Sequence, residues 1–221
     1  MLCFDLANFF PSIRRPRIRG LFRSLGYPQA VSDHLAALCT NVTPSRVQGR
    51  LAPPERLLYR SPHLPQGAPT SPALANHAAY KLDRRLAGLA RSLGANYGRY
   101  ADDLSFSGDR AIAAALLRAV PEIVADEGFR LNPAKTRINA RTSRQTVTGI
   151  VVNQHLNLRR ETFDELKAII HACGKPEDTR LTDAAFQAQL IGRLDWAARL
   201  NPPRGRKLKA LLAKALDARN P

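Results

Sequence analysis

Apolar positions in this chain follow two periods: short alternating runs at its start and at two points further along, and stripes recurring every three or four residues in between. The opening "MLCFDLANFF" reads as a buried strand of about four residues that stops at Asp5. Ile18, Leu21, Phe22 and Leu25 then form a helical stripe closed by Gly26, and Val31, Leu35 and Leu38 a second that begins near Pro28. Residues 40–63 have no period and several prolines, which predicts a long loop or a few short pieces. Ser71 and Pro72 predict a helix start, with the hydroxyl capping free backbone N–H groups, and Leu74, Ala78, Leu82, Leu86 and Leu89 continue down one face. A hairpin is predicted at 97–108, followed by a helix carrying Ile112, Ala115, Leu116, Ala119, Ile123 and Val124, with a kink or restart at Pro121 and an end at Gly128. Residues 129–153 alternate as strands do, most clearly in "TVTGIVVN". From Glu161 three basic helices are predicted, at 161–173, 183–199 and 204–218, separated by "GKPEDT" and "NPPRG". The pattern predicts an α+β domain over 1–153 and a small helical one over 154–221.

Composition narrows the partners. With 221 residues, 44% of them hydrophobic, the chain can bury the core of one large domain with a smaller appendage. Lys and Arg outnumber Asp and Glu 34 to 18, a net charge of +16 that points to a polyanion. Nucleic acid is favoured over a membrane, because there is neither a spanning run of ~20 apolar residues nor an amphipathic N-terminal anchor. Cys3, Cys39 and Cys173 are far apart and form no C-x-x-C, which predicts a reducing cytoplasm and no zinc site. Nothing after Met1 resembles a signal peptide, so the protein is predicted to stay inside the cell. His34, His63, His77, His155 and His171 lack metal-ligand spacing, and no G-x-S-x-G elbow is present.

The chemistry concentrates in "RYADDLSFSG". Adjacent residues of a regular strand point to opposite faces, so Asp102 and Asp103 can share a site only where the chain bends. Like charges confined at a hairpin tip call for a cation. Mg2+ fits, since it takes one or two carboxylates together with waters and substrate phosphates, and Asp5, at the end of an apolar strand, is the best third carboxylate. Two ions about 4 Å apart could activate a 3'-hydroxyl and stabilise a leaving pyrophosphate. A solvated turn for the aspartate pair and a helix cap for Asp5 are the bland alternatives.

"FDLANFFPSI", "LPQGAPTSPALAN", "RYADDLSFSG", "GFRLNPAKT" and "VTGIVVN" occur in this order and closely resemble the successive palm motifs of bacterial reverse transcriptases, retron type nearest. The resemblance covers residues 2–153, and the basic tail looks like the thumb of the same enzymes. It implies a palm whose antiparallel sheet has helices packed on one face, followed by a helical thumb. The implied activity is RNA-directed DNA polymerisation: a primer 3' end extended with deoxynucleotides through two Mg2+ ions, or Mn2+. Asp5 and Asp102 match the main metal ligands, and Asp103 the accompanying carboxylate. Phe10 matches the aromatic gate that rejects a ribose 2'-hydroxyl, with a core aromatic beside Phe9 as the other reading. Gln66 and Gly67 match the loop lying against the incoming nucleotide, and Lys135 the lysine near the departing pyrophosphate; a plain turn and a solvated surface lysine are the alternatives. Val147, Thr148 and Gly149 match the tripeptide that grips the primer end, or are ordinary strand residues. The implied partners are an RNA template, a primer and its RNA–DNA duplex, deoxynucleoside triphosphates, and a structured noncoding RNA with an effector protein in defence against phage. No membrane is involved.

The resemblance has two gaps. Only four residues precede Asp5, which leaves no room for the basic fingers that clasp the triphosphate in such enzymes, and no N-A-x-x-H element lies between Ile13 and Leu64. Group II intron maturases share the palm motifs. Two rivals therefore stand beside the polymerase: an RNA-binding remnant without fingers, and a metal-dependent nuclease or nucleotide cyclase. The last leaves "LPQG" and "VTG" without a task.

Overall fold

The structure, a computed structural model, describes residues 1–217; residues 218–221, the end of the predicted basic tail, lie outside the described residues. It divides into two compact units, one ending at Ile138 and the other starting at Asn139.

The first unit begins with β1 (Leu2–Asp5) and the short helix α1 (Phe9–Ser12), and continues through α2 (Arg15–Ser24) and α3 (Gln29–Cys39). The aperiodic, proline-rich stretch forms two short helices, α4 (Ser45–Gln48) and α5 (Pro53–Arg60). One long stripe was expected beyond Ser71; two helices form instead, α6 (Ser71–Ala78) and α7 (Tyr80–Ser92), broken at Ala79. The Ser71 hydroxyl does not cap α6. It is buried and donates to the Pro65 carbonyl at 2.6 Å, tying the helix to the loop before it. The predicted hairpin is β2 (Asn96–Tyr100) and β3 (Asp103–Ser107), and α8 (Ala113–Asp126) runs unbroken through Pro121.

The expected strand after Phe129 shrinks to an isolated bridge at Leu131, a 3-10 turn over Pro133–Lys135 and the two-residue β4 (Arg137–Ile138). Pro133 lacks the N–H a ladder needs. The four strands form an antiparallel sheet in the order β2-β3-β1-β4. Alternation sends Leu2, Phe4, Leu104 and Phe106 to one face, where they join Leu82, Leu86, Leu116, Val120 and Val124 of the helices in one core. The other face carries Cys3, Asp5, Asp103 and Ser105. This is the α+β arrangement that the pattern predicts.

The second unit starts with the hairpin β5 (Thr146–Val147) and β6 (Ile150–Val151), whose central residues Thr148 and Gly149 both have positive φ, 48° and 84°, as a type I′ turn requires. Three helices follow, α9 (Arg160–Cys173), α10 (Ala184–Leu200) and α11 (Pro202–Asp217), around Leu166, Ile170, Leu190, Leu194 and Leu208. Arg144 pairs with Glu161, and Asn201 donates to Leu156 O and Asn157 Oδ1, so the segments just before and after the hairpin are bonded to these helices. Compactness thus groups residues 139–153 with the helical unit, while the sequence pattern groups them with the sheet.

Glycine decides one contact here. A Cβ on Gly205 would lie 2.2 Å from Ala198 Cα, so α10 and α11 approach as closely as they do only because this position is bare. Gly205→Ala is expected to cost about 1–3 kcal/mol by forcing the helices apart, read as a lower urea midpoint.

Candidate active site

Asp5 lies opposite Asp103 in the β1–β3 register, so their side chains leave the same face of neighbouring strands. The bend needed to bring in Asp102 lies one residue earlier than the aspartate pair. Ala101 and Asp102 form the turn between β2 and β3, and Asp103 is already the first residue of the strand. Leu6 N–H donates to Asp102 O at 2.8 Å, stitching the end of β1 to that turn.

The turn is strained. Ala101 has φ 51°, in the left-handed region that a Cβ disfavours. Among the described residues the non-glycine positions with positive φ are Asn8, Ala101 and Thr148, and each lies inside one of the quoted motifs. Backbone held this way costs of order 1–3 kcal/mol per residue and persists where surrounding structure enforces it.

Lys135 reaches the same place from the 3-10 turn. Asn132 N–H donates to Asp5 O at 2.8 Å and sets that turn against the strand end, and Lys135 Nζ then donates to Asp5 Oδ2 at 2.9 Å. The Asp5 bond, then its charge, holds the Lys135 ammonium above its ordinary range, so the amine is protonated at neutral pH. Burial, followed by the charges of Asp102 and Asp5, pushes the Asp103 carboxyl up, while Lys135 and Arg137 oppose the rise. The Asp103 carboxyl thus feels the charges of both Asp5, across the strand pair, and Asp102, in the turn, while the Lys135 ammonium is bonded to Asp5.

Among the described residues no three His, Cys, Asp or Glu side chains already stand close enough to enclose a metal ion. The donor set nevertheless suits a hard divalent cation: every ligand atom is a carboxylate oxygen, and a positive group already occupies the position against Asp5. Asp5, Asp102 and Asp103 are the groups that could hold such an ion.

The remaining predicted residues are placed as follows. Phe10 sits on α1, half-buried, with its ring edge-on to Phe9 at 5.4 Å between centroids. Gln66 and Gly67 are exposed on the loop before α6; Gly67 has φ 88°, a conformation only glycine takes without strain. That loop is fixed at both ends, by Leu64 N–H to Ile13 O at 3.1 Å and by Ser71 to Pro65. Val147, Thr148 and Gly149 lie in the second unit, on β5 and its turn.

One cluster escaped the sequence reading. Arg99 is buried beneath the turn, with Nε and Nη2 donating to the two Asp83 oxygens at 2.8 and 2.7 Å. The Tyr97 hydroxyl donates to Asp83 Oδ1 at 2.7 Å, and burial, then that bond, pushes its phenol far up, so it remains a donor. A signal existed. Tyr97 and Arg99 share one parity of β2, the parity that faces the core, and an arginine there requires a partner.

Residues 1–154 match the family model described as reverse transcriptase (RNA-dependent DNA polymerase). The chain is 43% identical over 213 residues to the retron Mx65 reverse transcriptase of Myxococcus xanthus, covering 94% of this chain and 48% of that protein. It is 37% identical over 182 residues to the retron Ec86 reverse transcriptase of Escherichia coli, covering 80% and 51%. It thus spans about half the length of the curated relatives it matches. A foamy viral protease-reverse transcriptase solved with an RNA/DNA hybrid shares the fold at a TM-score of 0.50 and 15% identity, over 99% of this chain and 27% of that one. With Asp5 and Asp103 paired across neighbouring strands and Asp102 in the adjoining turn, the matched stretch from the first residue to 154 and the 43% identity to a retron enzyme place this chain in the reverse transcriptase family, beside the bacterial retron enzymes.

Proposed function

We propose that the chain supplies the palm and thumb of an RNA-directed DNA polymerase of retron type, with 1–153 as palm and 154–221 as thumb, working in the cytoplasm. The observation that carries this is the pairing of Asp5 with Asp103 across β1 and β3 beside the Asp102 turn, within the matched family region. Asp5 and Asp102 would hold two Mg2+ ions, or Mn2+, with Asp103 accompanying them. When bound, the ions would supply activation of the primer 3'-hydroxyl and stabilisation of charge on the leaving pyrophosphate.

The chain's own groups do the rest. The open face of the sheet receives the primer end, while the exposed Gln66–Gly67 loop lets backbone approach the incoming deoxynucleotide. Lys135, kept protonated at Nζ, offers a proton and a positive charge to the departing pyrophosphate. The Val147–Gly149 turn, with Thr148 and Gly149 at positive φ, contacts the primer strand. Exposed Arg206, Lys207 and Lys214 on α11 lie along duplex phosphates, positioning the RNA–DNA hybrid without reading its sequence. Among the described residues no helix is long and apolar enough to cross a membrane. A structured noncoding RNA as template source, and an effector protein in phage defence, complete the proposed setting.

The test is RNA-templated primer extension by the chain in its full natural reading frame, with Mg2+ and Mn2+ in parallel. Incorporation supports the reading; salt-sensitive RNA binding with no extension under either metal replaces the polymerase by a binding protein.

The sugar gate gives a sharper check. Phe10→Ala is expected to raise ribonucleotide over deoxynucleotide use by roughly tenfold or more, the scale of one steric contact in a specificity pocket. A Phe10 that is only a core aromatic would instead cost about 3–5 kcal/mol of stability and leave sugar choice unchanged.

A further inference from the structure

We infer that Arg99 is a positioning residue for the carboxylate turn, clamping the strained Ala101 to the helices beneath the sheet; the consequence for metal holding rests on the function proposed above. The guanidinium divides its donors. Nε and Nη2 engage the Asp83 carboxylate of α7, whereas Nη1 donates to Asn76 Oδ1 of α6 at 3.1 Å and to Ala101 O at 3.0 Å. The group also lies over the Phe9 ring at 5.5 Å. Its side chain is 5% exposed.

An ion pair with Asp83 needs only the Nε–Nη2 edge of the fork. The third nitrogen does something else: it reaches past the end of β2, two residues along the chain, to the carbonyl of the turn residue with φ 51°. Through Phe9, Asn76 and Ala101 the one side chain touches three of the quoted motifs, "FDLANFF", "SPALAN" and "RYADD". Asp102 follows Ala101 directly, and its own carbonyl is held by Leu6 N–H. The turn that presents Asp102 is therefore fixed on one side by β1 and on the other by Arg99. Holding Ala101 left-handed without such a bond would leave the strained conformer free to relax.

Arg99→Lys keeps the positive charge for Asp83 but loses the planar fork that reaches Ala101 O. Two readouts follow the variant: amide hydrogen exchange of residues 100–104 against that of α7, and affinity for Mn2+ alone, measured from the free-ion paramagnetic resonance signal. The expected result is at least about tenfold faster exchange in the turn with α7 unchanged, and a roughly tenfold to hundredfold loss of Mn2+ affinity, the range seen when partners that orient ligands are removed. Adding Ala101→Gly to Arg99→Lys is expected to restore most of that affinity, since glycine adopts positive φ without the clamp. A merely structural Arg99 would show no such rescue. Asn76→Ala, at an exposed position, is the gentler variant and is expected to speed turn exchange about threefold. Unchanged turn exchange in both variants overturns the clamp. Faster exchange with wild-type Mn2+ affinity in Arg99→Lys overturns its link to the ligands. Failure of the wild-type chain to bind Mn2+ overturns the metal reading itself, and the exchange arm then decides the clamp alone.

Discussion

Alanine at Asp102 and Asp103 together is expected to remove RNA-templated primer extension, by at least roughly 10³-fold, the scale of losing a group that stabilises transition-state charge. The double variant leaves Asp5 alone with Lys135, an ion pair that already neutralises itself at 2.9 Å. Of the three carboxylates only Asp5 is left, and it is already paired. Fold is expected to survive. Both aspartates stand at the surface end of the hairpin, and burial together with like charge already raises the Asp103 carboxyl, so removing the pair relieves repulsion. The melting temperature should hold or rise slightly while extension disappears and RNA binding remains, the signature of a site kept for function at the expense of stability. Equal extension by wild type and variant would remove these carboxylates from the mechanism.

The largest stability effect is expected at Asp83, outside every motif the sequence advertised. Asp83→Ala strands the Arg99 guanidinium, 5% exposed, without the carboxylate that accepts two of its hydrogen bonds, and deprives the Tyr97 hydroxyl of its acceptor. Breaking a buried pair by deleting one partner costs about 3–5 kcal/mol, because the remaining charge is left uncompensated. The Asp83 side chain is 30% exposed, so water takes over part of its role and the lower end, about 3 kcal/mol, is expected. Against a typical stability of about 5–15 kcal/mol that is a large fraction, visible as a melting temperature lower by roughly 6–12 °C. Asp83→Asn, which keeps one oxygen acceptor, is expected to lose only about 1–2 kcal/mol. A neutral Asp83→Ala would mean that Arg99 is satisfied by other means.

These two sites differ in how openly the chain announces them. Alternation around "RYADD" places the hairpin, and an apolar run ending in Asp5 places the third carboxylate, because both follow from the period-2 geometry of strands. Helix stripes likewise locate α7, α8 and the three helices of the second unit. What alternation cannot supply is long-range pairing: Arg99 finds Asp83 sixteen residues away on a helix and Asn76 twenty-three away, and nothing local records those distances. Lys135 was expected near a departing pyrophosphate, and its bond to Asp5 was not foreseen, since that bond depends on the turn set by Asn132 N–H on Asp5 O. The region after Phe129 misled for a related reason. Its alternating residues satisfy the strand pattern, yet Pro133 interrupts the ladder and only Arg137 and Ile138 pair with β1. The Ser71 hydroxyl went to Pro65 O instead of a helix cap, a tertiary contact that overrides a local preference.

The claim at the centre is that Asp5 and Asp102, with Asp103 beside them, are metal ligands. Its most direct test is anomalous diffraction from a crystal of the protein in its full natural reading frame, grown with a primer–template hybrid and an unreactive deoxynucleoside triphosphate analogue and soaked in Mn2+. The expected map shows manganese bound by the Asp5 and Asp102 carboxylates, with Lys135 no longer on Asp5 Oδ2. A well-ordered complex whose map holds no manganese at those carboxylates would contradict the claim.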